Sequence, residues 1–250
     1  MRQQNRVMLI FLRRIRDGEL SIDLECQKTP KNNNILHVAV EFKQVEFFTN
    51  TSLGSPMFWA TNIKGDTPLH TAAKVGCLLV VEFLINHAKM LHIEGVDEEN
   101  GPADGEAYKK LLRMTNLEKD TALHVAVRCG HCRVVMLLIE AYPTLCCLTN
   151  CANESPLFLA TSKGFQRIAR YILCESSICP SFDGINGVTA LHAAVTRRTK
   201  SAKELATASP ECLSMAAPGV VVGGCLLASL CITCSLFLYV CSCLTYVFLH

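Results

Sequence analysis

Five segments of this 250-residue chain begin alike, and the distance between them limits the fold more than any other feature. Thr67-Pro68-Leu69-His70 returns as Thr121-Ala122-Leu123-His124, as Ser155-Pro156-Leu157-Phe158 and as Thr189-Ala190-Leu191-His192, with an eroded copy at Asn34-Ile35-Leu36-His37. His37 to His70 is 33 residues, and the steps from His124 to Phe158 and from Phe158 to His192 are 34. Gly76, Gly130 and Gly164 each stand six residues beyond the histidine or its replacement. A fixed period of this size marks stacked copies of one small unit, none of which can bury its apolar face alone.

Within the unit, elementary rules give a turn, a short helix, a break and a second helix. Thr67 offers a hydroxyl to cap the first helix, and Pro68 sits at the first helical position, where a missing N–H costs nothing. Gly76 suits the left-handed residue that ends that helix. Val80, Val81, Leu84 and Ile85 then form one apolar helical stripe. Equivalent stripes follow Gly130 (Val134, Val135, Leu137, Leu138) and Gly164 (Ile168, Tyr171, Ile172). Repeat 1 lacks the glycine, having Lys43, and has Asn50-Thr51 where a leucine pair is expected. Its second helix is therefore expected to be short.

The pattern T-P-L-H-x-A-A-x-x-G at this period resembles the ankyrin repeat. The resemblance covers about residues 31 to 200 and implies an all-α solenoid of helix-turn-helix units joined by hairpin loops. It assigns structural roles to Thr67, Pro68, Leu69, His70 and Gly76, to Thr121, Leu123, His124 and Gly130, to Ser155, Pro156 and Gly164, and to Thr189, Leu191 and His192. In the family the histidine bonds to the Thr and to backbone, tying one repeat to the next.

That role weighs against metal or catalytic histidines, because His37, His70, His124 and His192 are one position repeated. Cys129-Gly130-His131-Cys132 has the spacing of half a zinc site, but a structural zinc needs four ligands and no second pair stands nearby. No phosphate loop, nucleophile elbow or carboxylate pair appears. The expectation is no enzyme, no cofactor, no metal and no small-molecule substrate. A net charge of +2 gives no argument for nucleic acid.

What remains is surface. In ankyrin arrays the hairpin tips and first helices line a concave face that grips a protein partner. The matching positions are Ile63, Lys64, Asp66, Lys74 and Val75, then Leu117, Glu118, Asp120, Arg128 and Cys129, then Cys151, Ala152, Glu154, Ser162 and Lys163. Few of them are expected to dominate binding.

Three stretches fall outside the pattern. Residues 1 to 30 hold Val7 to Leu12 among Arg2, Arg6, Arg13, Arg14 and Arg16; they read as a cap on the array or as a basic segment for anionic lipid. An insertion from 90 to 112 lengthens the step from His70 to His124 to 54 residues. Rich in acid and glycine, it reads as a solvated loop or a regulatory one. After a linker at 201 to 215, residues 216 to 249 carry no charged side chain. About 20 helical residues cross a hydrocarbon core of about 30 Å, so this stretch is expected to span a membrane as a helix. Arg197, Arg198, Lys200 and Lys203 precede it, which places the repeats on the cytoplasmic side. Cys241 and Cys243 are candidates for palmitoylation. Fifteen cysteines without a visible cleavable signal fit a reducing compartment. Redox sensing at Cys146, Cys147 and Cys151, a repeat junction, has no support from the sequence.

The stretches Asn62 to Lys74, Val80 to Ile85 and Met114 to His124 further resemble plant membrane ankyrin proteins of the accelerated-cell-death type. That resemblance implies defence or stress signalling at a membrane, with the plasma membrane as the expected one. Relatives of that type carry a Pro-Gly-Gly motif and several spans, whereas this chain has Pro218-Gly219 followed by Val220. The alternative is a soluble, shortened regulator that competes with full-length relatives for partners.

Overall fold

The computed structural model describes residues 2–19, 27–50, 56–90, 106–174, 176 and 178–197. The linker and span expected at 201–249, Arg198, Cys241, Cys243 and the middle of the insertion lie outside the described residues.

The described chain is helical, with no strand beyond an isolated bridge between Thr115 and Thr121. Five helices begin at the repeated motif: α2 (Ile35–Glu41), α5 (Pro68–Val75), α8 (Ala122–Cys129), α10 (Pro156–Lys163) and α12 (Ala190–Thr196). Each packs on the next, α2 on α5, α5 on α8, α8 on α10 and α10 on α12. The second helices, α3 (Val45–Asn50), α6 (Leu78–Met90), α9 (Cys132–Ala141) and α11 (Gln166–Cys174), form a second row along the first. The segments starting at Thr67, Thr121, Ser155 and Thr189 therefore lie side by side, as stacked units require.

The helix starts follow the sequence closely. Thr67, Thr121, Ser155 and Thr189 are all extended N-caps, and Pro68 and Pro156 open their helices. Gly76, Gly130 and Gly164 take φ of 73, 76 and 77. At Gly76 an added Cβ would come within 2.6 Å of the His131 ring, so the glycine also makes room for the next repeat. Lys43 adopts the same left-handed conformation at φ 53 without glycine's freedom, and repeat 1 keeps its turn despite the substitution.

Between the two rows runs one continuous core. Leu36, Leu69, Leu123 and Leu157 from the first helices meet Val80, Val81, Leu84, Val134, Val135, Leu138, Ile168 and Ile172 from the second. In repeat 1, Phe47 and Phe48 take the places of Val80 and Val81, and α3 is described from Val45 to Asn50. At the open end α1 (Arg2–Arg16) lies against α3, burying Leu12 and Ile15, with Arg16 ion-paired to Glu46.

The insertion departs from the loop expected over 90–112. Met90 still belongs to α6, and residues 106–113 form α7 (Glu106–Arg113), which packs on α6. The reason is a buried pair, Leu111 and Leu112, standing five and four residues before Asn116. Met57 and Phe58 on α4 (Pro56–Trp59) hold the same slot before Asn62. Leu145 and Cys146 on a 3-10 turn, Pro143–Cys147, hold it before Asn150. Average polarity across the insertion hid two leucines that have a fixed place to go. Around them, the cations of Lys110 and Arg113 sit over the rings of Trp59 and Tyr142, and Arg113 also donates to the Tyr142 hydroxyl at 2.9 Å.

Candidate protein-binding surface

The hairpins that precede the first helices are built on an asparagine. Asn62 Oδ1 accepts the N–H groups of Lys64 and Asp66 at 2.8 and 3.0 Å. Asn116 does the same for Glu118 and Asp120, and Asn150 for Ala152 and Glu154. With its amide, each asparagine reaches back one repeat: Asn62 to Asn33 Oδ1, Asn116 to Asp66 Oδ1, and Asn150 to Asp120 Oδ1, at 3.0, 3.0 and 2.8 Å. Backbone bonds reinforce the row, with Ile63 N–H donating to Lys31 O, Leu117 N–H to Lys64 O and Cys151 N–H to Glu118 O. Turn propensity alone does not single out these asparagines. Their signal was present, since each stands four residues before an acid that itself precedes the Thr or Ser cap.

The histidines supply the second set of ties. In His70, Nδ1 accepts the Thr67 N–H at 3.2 Å and lies 2.8 Å from the Thr67 hydroxyl, while Nε2 donates to the Asp120 carbonyl at 3.0 Å. His124 repeats this with Thr121 and the Glu154 carbonyl. Facing an N–H on one side and a carbonyl on the other, both rings fit the neutral Nε2–H tautomer. Burial pushes both below the ordinary histidine value, His124 to about 4. In His37 the cap is Asn34, whose Oδ1 lies 2.6 Å from Nδ1, and Nε2 meets the Asp66 carbonyl at 2.8 Å. His192 pairs with Thr189 in the same way.

These ties divide the candidate binding residues. Asp120 and Glu154 are buried, and Arg128 holds both: Nη2 donates to the two Asp120 oxygens at 3.0 and 2.9 Å and to Glu154 at 3.3 Å. Asp66 is half-buried under the Asn116 amide. Val75 is half-buried, and so is Ser162, whose hydroxyl donates to the Leu159 carbonyl. Exposed are Ile63, Lys64, Lys74, Leu117, Glu118, Cys129, Cys151, Ala152 and Lys163. Ile63 and Leu117 are large apolar side chains 58% and 75% exposed at successive hairpin tips.

No group of three metal-binding side chains occurs among the described residues, and no described helix is long and apolar enough to cross a membrane. The arrangement offers a half-apolar edge on which Asp66, Asp120 and Glu154 turn to internal donors, while Glu118 and the lysines Lys64, Lys74 and Lys163 face outward. Residues 36–146 and 99–183 match the family model described as ankyrin repeats (3 copies). No curated protein matches the chain.

Proposed function

The chain belongs to the ankyrin-repeat family, and from that premise we propose that it is an adaptor, held at a membrane by residues 216–249, that grips a protein partner along its hairpin tips and first helices. The observation that carries this is the pair of bared side chains, Ile63 and Leu117, on tips that their own backbone ladder already holds in place. Preorganised apolar anchors bind with little ordering cost. Around them Lys64, Lys74 and Lys163 are exposed against the one outward candidate carboxylate, Glu118, while Asp66, Asp120 and Glu154 face internal donors. The face thus favours a partner segment that combines apolar and acidic side chains.

A membrane role rests on the uncharged stretch from Ala216 to Leu249 with basic residues before it. Signalling in plant defence or stress, at the plasma membrane, rests on the likeness of the repeats to the accelerated-cell-death type. Two measurements test the parts separately. Deleting residues 216–250 should move the chain from the membrane to the soluble fraction; equal fractionation of both forms would remove the anchor. Residues 1–212 used as bait should lose captured partners when Ile63→Asp and Leu117→Asp are introduced. If the double variant, folded by circular dichroism, captures the same proteins, the tip face is not the binding site.

A further inference from the structure

Three cysteines gather where the third repeat hands over to the fourth. Cys146 and Cys147 end the 3-10 turn after α9, and Cys179 lies in the connector between α11 and α12. The two strands of chain are pinned together, since the Ser181 N–H donates to the Cys146 carbonyl at 3.0 Å. Cys147 Sγ donates to the carbonyl of Cys179 at 3.3 Å, across 32 residues of sequence. The environments differ. Cys146 is fully buried and its thiol is pushed up to about 12, which keeps it inert. Cys147 is half-buried, and burial, with the neighbouring Cys179, raises its thiol above the ordinary value, while Cys179 is exposed.

We propose that Cys147 and Cys179 form a thiol–disulfide exchange site, which takes a low-molecular-weight disulfide of the glutathione class and closes into an intramolecular bridge. The exposed Cys179 thiolate attacks one sulfur of the small disulfide. A mixed disulfide forms on Cys179, and the other half leaves as a thiolate. Cys147 then gives its proton to solvent and attacks the Cys179 sulfur. The Cys147–Cys179 bond forms as the second small thiolate departs and is protonated. Two protein thiols are oxidised, and one small disulfide is reduced to two thiols. The carbonyl contact sets the two residues side by side, and closing the bridge asks the Cys147 and Cys179 sulfurs to turn from their carbonyl partners towards each other. The bridge ties the turn before the fourth repeat to the connector after it and restrains the fourth repeat's unfolded chain.

The test equilibrates the full chain in mixtures of reduced and oxidised glutathione, alkylates it with excess maleimide at pH 7 without denaturant, and maps the products by fragmentation mass spectrometry. A Cys147–Cys179 cross-link is expected, with Cys146 alkylated only after denaturation. Oxidised wild type should also unfold at higher urea than reduced wild type. Cys147→Ser should leave a stable glutathione adduct on Cys179 and erase that urea difference, whereas Cys174→Ser should change neither. A persistent adduct on Cys179 in the wild type, or pairing of Cys147 with Cys146 or Cys151 instead, would overturn the proposal. So would an oxidised chain with no cross-link at all.

Discussion

A left-handed residue follows the first helix in four repeats, and only in the first is it a lysine. Holding a side chain at positive φ costs about 1–2 kcal/mol, part of which glycine returns as unfolded-state entropy. Lys43→Gly should therefore stabilise the array by about 0.5–1 kcal/mol in urea denaturation. Gly76→Ala should act in the opposite sense, by about 2 kcal/mol or more, because its Cβ also meets the His131 ring. A second contrast concerns charge. Arg128 is the sole cation bonded to the buried carboxylates of Asp120 and Glu154 among the described residues. Arg128→Ala should cost about 2 kcal/mol, a figure reduced from that of a fully buried pair because the guanidinium is a third exposed. The same variant should leave the exposed tips at Ile63 and Leu117 in place, so a loss of stability without loss of binding in a partner assay separates the two roles.

At the scale of elements, legibility followed local chemistry. The caps, prolines and glycines of the first helices could be read directly, because each helix start and stop is decided by one or two residues. The paired stripes of the second helices were equally plain. The ladder of Asn62, Asn116 and Asn150 was not, because an asparagine in a turn looks the same whether or not its amide reaches the neighbouring repeat. Helix α7 was hidden by its surroundings, since Leu111-Leu112 closes a run dominated by acids and glycines. Of the binding candidates, the sequence could identify positions but not which carboxylates face inward. That depends on Arg128 and Asn150, which come from different units. Leu112→Asn should put an unsatisfied amide into the slot that Cys146 fills in the next repeat. A cost of about 3 kcal/mol is expected, with loss of α7 protection in amide exchange.

For the whole molecule, the histidine ties make stability depend on pH. His70 and His124 are held neutral when folded, with values below the ordinary 6.5, His124 near 4. Below pH 6.5 the unfolded chain takes up protons that the folded rings refuse, so stability is full above that pH and declines as pH falls towards 4. For His124 alone the loss is on the order of 3 kcal/mol across the window. Urea titrations at pH 7.5 and 5.0 should show it, and His124→Gln should flatten the difference by removing one titrating group. Contacts in the array run mainly between neighbouring units, and each tie, whether asparagine, histidine or backbone, joins one repeat to the one beside it. A molecule fastened only to its next link, when drawn out from its two ends by a steady pull, lets go one link at a time. It behaves as an extensible tether rather than a bead that breaks open all at once.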